Sequence, residues 1–86
     1  MKKELLDFLY EQILFFTENG KSNINHPSIM VQETQKCSGK SREEVIGLFR
    51  ELNEIGFIEK VPDEEYAYRI KEMISTQEIK KRKTKA

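Results

Sequence analysis

Residues 41–70 constrain the fold more than any other part of the chain. Ser41 and Glu44 have capping-box spacing, in which a Ser side chain and a Glu carboxylate each bond a free amide at a helix start. Apolar residues then recur at Val45, Leu48, Phe49, Leu52 and Ile55, one face of a helix expected over 42–55. Gly56 is the expected stop, because glycine takes the left-handed conformation after a helix without steric cost. Phe57 to Val61 and Tyr66 to Ile70 read as two strands joined by the acidic turn Pro62-Asp63-Glu64-Glu65, so an antiparallel hairpin pairing 57–61 with 66–70 is expected.

The string from Ser41 to Ile58, with a Ser, a Val four residues on, a Leu seven after that, a Gly four further and then an apolar pair, resembles the recognition helix of winged helix-turn-helix DNA-binding proteins. Gly39 sits where that family places its turn glycine. The resemblance implies a mainly α fold with a small β-hairpin, in the order helix, short strand, helix, helix, strand, strand. It also implies a recognition helix over 42–55 lying in the DNA major groove. Many proteins of this fold bind other proteins instead, so fold alone does not decide the partner.

The upstream residues fit that order. A first helix is expected over about 3–18, stopped by Asn19-Gly20. Its acids, Glu4, Asp7, Glu11 and Glu18, fall on one narrow stripe at about 100° per residue. Most of the remaining circumference is apolar, and Phe8 and Phe15 continue it past Gln12. A helix apolar on so many sides is buried on more than one. A homodimer through Leu5, Phe8, Gln12 and Phe15 is therefore expected, the alternative being a C-terminal segment folded over the extra side. Ile24 is available for a short strand. Pro27 suits the first position of a second helix running to about Cys37, with Met30, Val31, Thr34 and Cys37 inward. Gly20-Lys21-Ser22 lacks the earlier glycine and the preceding strand of a phosphate loop.

Eighty-six residues make one domain, read as a body over 1–74 and a basic C-terminal tail over 75–86, helical or frayed. No apolar run approaches the ~20 residues of a membrane span. The N-terminus lacks signal-peptide features, and a single cysteine permits no internal disulfide, so a cytoplasmic location without membrane contact is expected. The net charge is zero but unevenly placed: residues 1–74 hold ten Lys/Arg and fourteen Asp/Glu, and residues 75–86 hold five and one.

Catalysis finds no support. The lone His26 and lone Cys37 lie in different elements without zinc spacing, and the carboxylates lack an apolar pocket to separate their pKa values. No catalytic residue, metal, cofactor or small-molecule ligand is inferred. Binding carries the function, and double-stranded DNA is the expected partner of a small homodimeric transcriptional regulator. Ser41, Arg42, Ile46, Gly47 and Arg50 are the candidate contacts on the recognition helix, where Arg bonds guanine bidentately and an apolar group meets a thymine methyl. Lys36 and Lys40 flank the turn and suit phosphate contacts. Lys80, Lys81, Arg82, Lys83 and Lys85 would add nonspecific attraction from the tail. The acidic turn at 63–65 is repelled by phosphate and is expected off the DNA. The rival reading is a protein-interaction module that docks through Ile46, Gly47 and that acidic turn.

Overall fold

The computed structural model describes residues 3–84. Four helices and one hairpin follow each other as α1 (Leu5–Phe16), α2 (Pro27–Ser38), α3 (Arg42–Glu54), β1 (Ile58–Lys60), β2 (Tyr68–Ile70) and α4 (Thr76–Thr84). No helix among the described residues is long and apolar enough to cross a membrane.

α1 is shorter than its periodicity suggested. It starts where the Glu4 amide donates to the Asp7 carboxylate at 2.9 Å. It ends at Thr17, whose buried hydroxyl donates back to the Ile13 carbonyl at 2.7 Å and accepts from the Gly20 amide at 3.1 Å. Glu18, Asn19 and Gly20 then all take positive φ and turn the chain away.

α2 begins on Pro27 and closes on Gly39 at φ 73°, a left-handed cap that fits the turn glycine expected there. Ser41 caps α3 by accepting from the Glu44 amide at 3.2 Å. The expected reciprocal half of the box does not form: the Glu44 carboxylate accepts the Ser41 hydroxyl at 3.1 Å instead of the Ser41 amide. The other end of α3 reads as expected, with Gly56 at φ 88°. A Cβ on Gly56 would meet only the Arg82 guanidinium, at an ordinary 3.7 Å. The cost of Gly56→Ala is therefore conformational, about 1–2 kcal/mol for forcing an L-residue into that region. It should appear as a lower urea midpoint with an unchanged slope; an unchanged midpoint would show that the turn re-forms at no cost.

The hairpin pairs Ile58 with Ile70, Glu59 with Arg69 and Lys60 with Tyr68. Its regular pairing is narrower than the expected 57–61 with 66–70, although the Phe57 carbonyl still accepts the Lys71 amide at 2.8 Å at the open end. One further bond, from the Val61 amide to the Ala67 carbonyl at 2.9 Å, continues the ladder toward the turn. On the other edge of β2, Ile24 exchanges both backbone bonds with Tyr68, at 2.6 and 3.0 Å. That bridge is the short strand available in the sequence, and it ties the loop after α1 to the hairpin.

The core gathers Leu6, Leu9 and Ile13 from α1, Met30 and Val31 from α2, and Val45, Leu48, Phe49 and Leu52 from α3, with Ile24, Phe57, Ile58 and Ile79. Burying each such side chain is worth about 1.5–3 kcal/mol. No buried side-chain nitrogen or oxygen among the described residues lacks a partner. Cys37 departs from expectation, since its thiol is exposed. It meets α1 at the polar Gln12, with Nε2 at 4.0 Å from Sγ, rather than at a core residue.

Candidate nucleic-acid interface

α3 presents the surface on which the candidate contacts converge. Val45, Leu48, Phe49 and Leu52 anchor one side in the core, which turns Glu43, Arg50 and Glu54 outward, with Arg42 exposed at the start. Ile46 does not project with them. It is half-buried and packed against the core, because it lies only about 60° from Phe49 around the helix axis, at the edge of the buried stripe. Gly47 is exposed and a Cβ there would meet nothing within 4 Å, so nothing among the described residues requires a glycine at that position. It lies on the lip of an open cavity of about 470 Å³ between α1, α3 and α4, beside Glu43, Glu44, Glu51 and Lys83. Ser41 is the helix cap, and its hydroxyl is already engaged with Glu44.

The cations divide into two groups. Lys40, Arg42 and Arg50 are exposed and have no acidic partner among the described residues. Lys36 is also exposed at the end of α2, in a loose pair with Glu33 at 3.5 Å. The basic C-terminal residues are placed differently from the expected tail. Residues 76–84 form α4, the helical form expected of the segment, and Ile79 is fully buried in the core. Lys80 pairs with Glu4 at 3.4 Å and Lys83 with Glu51 at 3.6 Å. Arg82 binds Glu72 at 2.7 Å, Glu78 at 3.1 Å and the Ile55 carbonyl at 3.2 Å. Hydrogen bonds to Glu72, and then to Glu78, hold the Arg82 guanidinium above its already high ordinary pKa. Three of the expected DNA-binding tail cations thus neutralise acids of α1, α3 and the segment before α4. Lys81 is exposed, and Lys85 lies outside the described residues.

A sequence signal for α4 was present. Ser75 and Glu78 repeat the spacing of Ser41 and Glu44, and the Ser75 hydroxyl accepts the Glu78 amide at 3.1 Å. It agrees with the helical form expected of this segment, although one isoleucine among lysines carries little periodicity.

The acidic turn of the hairpin is exposed throughout, Asp63, Glu64, Glu65 and Tyr66 included, with Asp63 at φ 66°. Of the expected dimer residues, Leu5 packs partly against the core. Phe8 is half-buried, with the Lys3 ammonium 5.4 Å from its ring centroid, and Gln12 is half-buried beside Cys37. Phe15 stands 77% exposed. No group of metal-ligating side chains occurs among the described residues. No protein-family model matches the chain, and neither the curated proteins nor the solved structures yield a match.

Proposed function

We propose that this chain is a winged helix-turn-helix that binds double-stranded DNA as a transcriptional regulator, with the exposed side of α3 in the major groove. The observation that carries this reading is the distribution of uncommitted cations. Lys80, Arg82 and Lys83 are tied to acids of the body, whereas Lys40, Arg42 and Arg50 have no ionic partner among the described residues and line the turn and outer side of α3. Lys21, Lys60, Lys71 and Lys81 are also exposed and unpaired among the described residues, but lie on four other parts of the fold. Two helices joined at Gly39, followed by a hairpin whose second strand also pairs with Ile24, support the winged-helix assignment. In this reading Arg50 reads a base edge, Arg42 and Lys40 contact phosphate, and the tail contributes little. Ile46 and Ser41 act structurally rather than as contacts.

The test is salt-titrated binding to duplex DNA. Arg50→Ala should relax preference at one base pair, costing about 1–3 kcal/mol there, as for loss of a bidentate contact. Lys40→Ala should weaken all sequences alike and lower the salt slope by about 1. Lys80→Gln with Lys83→Gln should leave affinity nearly unchanged. If the tail pair governs affinity and Arg50→Ala binds as wild type, recognition by α3 is excluded.

The exposed acidic turn, next to exposed Tyr66, favours the second reading, a module that docks a protein. Neutralising Asp63, Glu64 and Glu65 to Asn and Gln separates the two. A DNA binder should bind as well or more tightly once the repulsive charge is gone, whereas a docking turn should lose its partner.

A further inference from the structure

We propose that Asn19 is a site of non-enzymatic covalent modification, deamidation through attack by the Gly20 nitrogen, and that the buried Thr17 hydroxyl guards it while the turn after α1 stays closed. The site is independent of DNA binding. Asn19 and Gly20 are both exposed, and glycine brings no Cβ to shield a preceding side-chain amide from its own nitrogen. The three other asparagines precede Ile24, His26 and Glu54, whose side chains crowd that approach. None of the hydrogen bonds in this turn engages the Asn19 side chain among the described residues. A Cβ at Gly20 would come within 3.2 Å of the Met73 Cε, so the glycine that favours the reaction is also the residue the packing requires.

The reaction needs no partner but water. The Gly20 nitrogen gives its proton to solvent and bonds to Cγ of Asn19. The bond from Cγ to the side-chain nitrogen breaks, and that nitrogen takes up protons and leaves as ammonia. The product is a cyclic imide whose nitrogen is held by both the backbone carbonyl carbon and Cγ. Water then opens the ring with no change of oxidation state. Cleavage at Cγ leaves aspartate. Cleavage at the backbone carbon leaves isoaspartate, in which the main chain runs through the side chain.

The closed turn opposes the first step. The Gly20 amide donates its proton to Thr17 Oγ1 at 3.1 Å, and Thr17 is itself fixed, fully buried and donating to the Ile13 carbonyl at 2.7 Å. Loss of that proton breaks the bond, so each reactive encounter begins from an opened turn. The Asn19 backbone is held as well, at φ 60° with its amide donating to the Leu14 carbonyl at 2.8 Å. The products disturb what the turn positions. Isoaspartate lengthens the main chain between that bond and the one from the Ser22 amide back to the Thr17 carbonyl at 2.8 Å, on the way to the bridge between Ile24 and Tyr68. Either acid also adds a negative charge between Glu18 and Lys21.

The experiment is incubation of the full chain at one mildly alkaline pH, folded and in urea, with peptide mass mapping at intervals and enzymatic methylation to count isoaspartate. Residue 19 should convert before the other asparagines, and about tenfold or more faster in urea than in the folded chain, as for a site shielded by local structure. Thr17→Val should raise the folded-state rate severalfold, whereas Thr17→Ser, which keeps the hydroxyl, should not. Hydrogen exchange separates the guard from overall destabilisation. The slowest amides report global unfolding, and deamidation in Thr17→Val should rise by a larger factor than their exchange. In the wild type the Gly20 amide should exchange slowly although it is exposed, a result that stands even where Thr17→Val does not fold. No conversion of residue 19 in urea, or faster conversion of another asparagine there, would overturn the site. Equal rates in the folded chain and in urea, a Thr17→Val factor no larger than that of the slowest amides, or an unprotected Gly20 amide would overturn the guard.

Discussion

Ile79→Ala is expected to destabilise the chain by about 2–5 kcal/mol, the range for deleting a fully buried aliphatic side chain. Ile79 has no exposed surface and is the one residue of α4 within the core. The ion pairs of α4 are more numerous but weaker. They join side chains with substantial solvent contact, Arg82 being the most covered at 29% exposed, and solvent screening leaves pairs of this kind little net stabilisation. Burial of Ile79 therefore dominates the docking of α4. Nine residues make no stable helix alone in water, so undocking and unfolding of α4 should coincide. Urea denaturation of Ile79→Ala beside Arg82→Gln checks the ranking, and amide exchange should lose protection over residues 76–84 in the first variant before the second. If Arg82→Gln costs more than Ile79→Ala, charge and not burial holds α4. The same ranking governs any test of the tail in DNA binding. Truncation after Ser75 removes a core residue with the charges, so lost affinity would report lost stability. Charge-neutral substitutions at Lys80 and Lys83 leave Ile79 in place.

The centre of the fold was legible because its signals are local. Gly39 and Gly56 sit at positive φ where the helix ends required it, and Ser41 accepts its amide bond within one turn. Ile24 pairing with Tyr68 was an available strand rather than a specified one, since a single bridge leaves almost no alternation to read. The errors lie where the outcome depends on a distant neighbour. Ile46 borders the buried stripe, and small shifts in packing decide which side it joins. Cys37 has the helical position of a core residue, but α1 offers Gln12 opposite it. The C-terminal cations read as free to attract DNA because their partners, Glu4, Glu51 and Glu72, are remote in sequence. At the candidate interface, residue type marked Lys40, Arg42 and Arg50 correctly as exposed cations. Residue type carried no information about which other cations the body neutralises.

Phe57→Ala should cost about 3–5 kcal/mol, as large as any single substitution in this chain. A domain of this length has on the order of 4–13 kcal/mol in all, so the variant keeps at best a reduced folded population and at worst none. The reason lies in how many elements meet at the ring. Phe57 directly follows the glycine that ends α3, is fully buried, and stacks on Tyr10 of α1 with centroids 5.3 Å apart and planes 16° from parallel. Its backbone accepts the Lys71 amide at 2.8 Å, just beyond β2. Tyr10 in turn donates its hydroxyl to the Ile74 carbonyl at 2.7 Å, on the approach to α4. One aromatic pair thus joins the first helix, the end of the third, the hairpin and the segment leading to the fourth. The contributions separate by mutation. Tyr10→Phe keeps the stack and removes only the hydrogen bond, so it should cost about 1 kcal/mol. The double truncation of Tyr10 and Phe57 should cost less than the sum of the singles by about 0.5–1.5 kcal/mol, the coupling of an aromatic pair. Urea denaturation of the four proteins measures the cycle. A zero coupling would mean that each ring is held by its other neighbours, and that this stack does not join α1 to the hairpin.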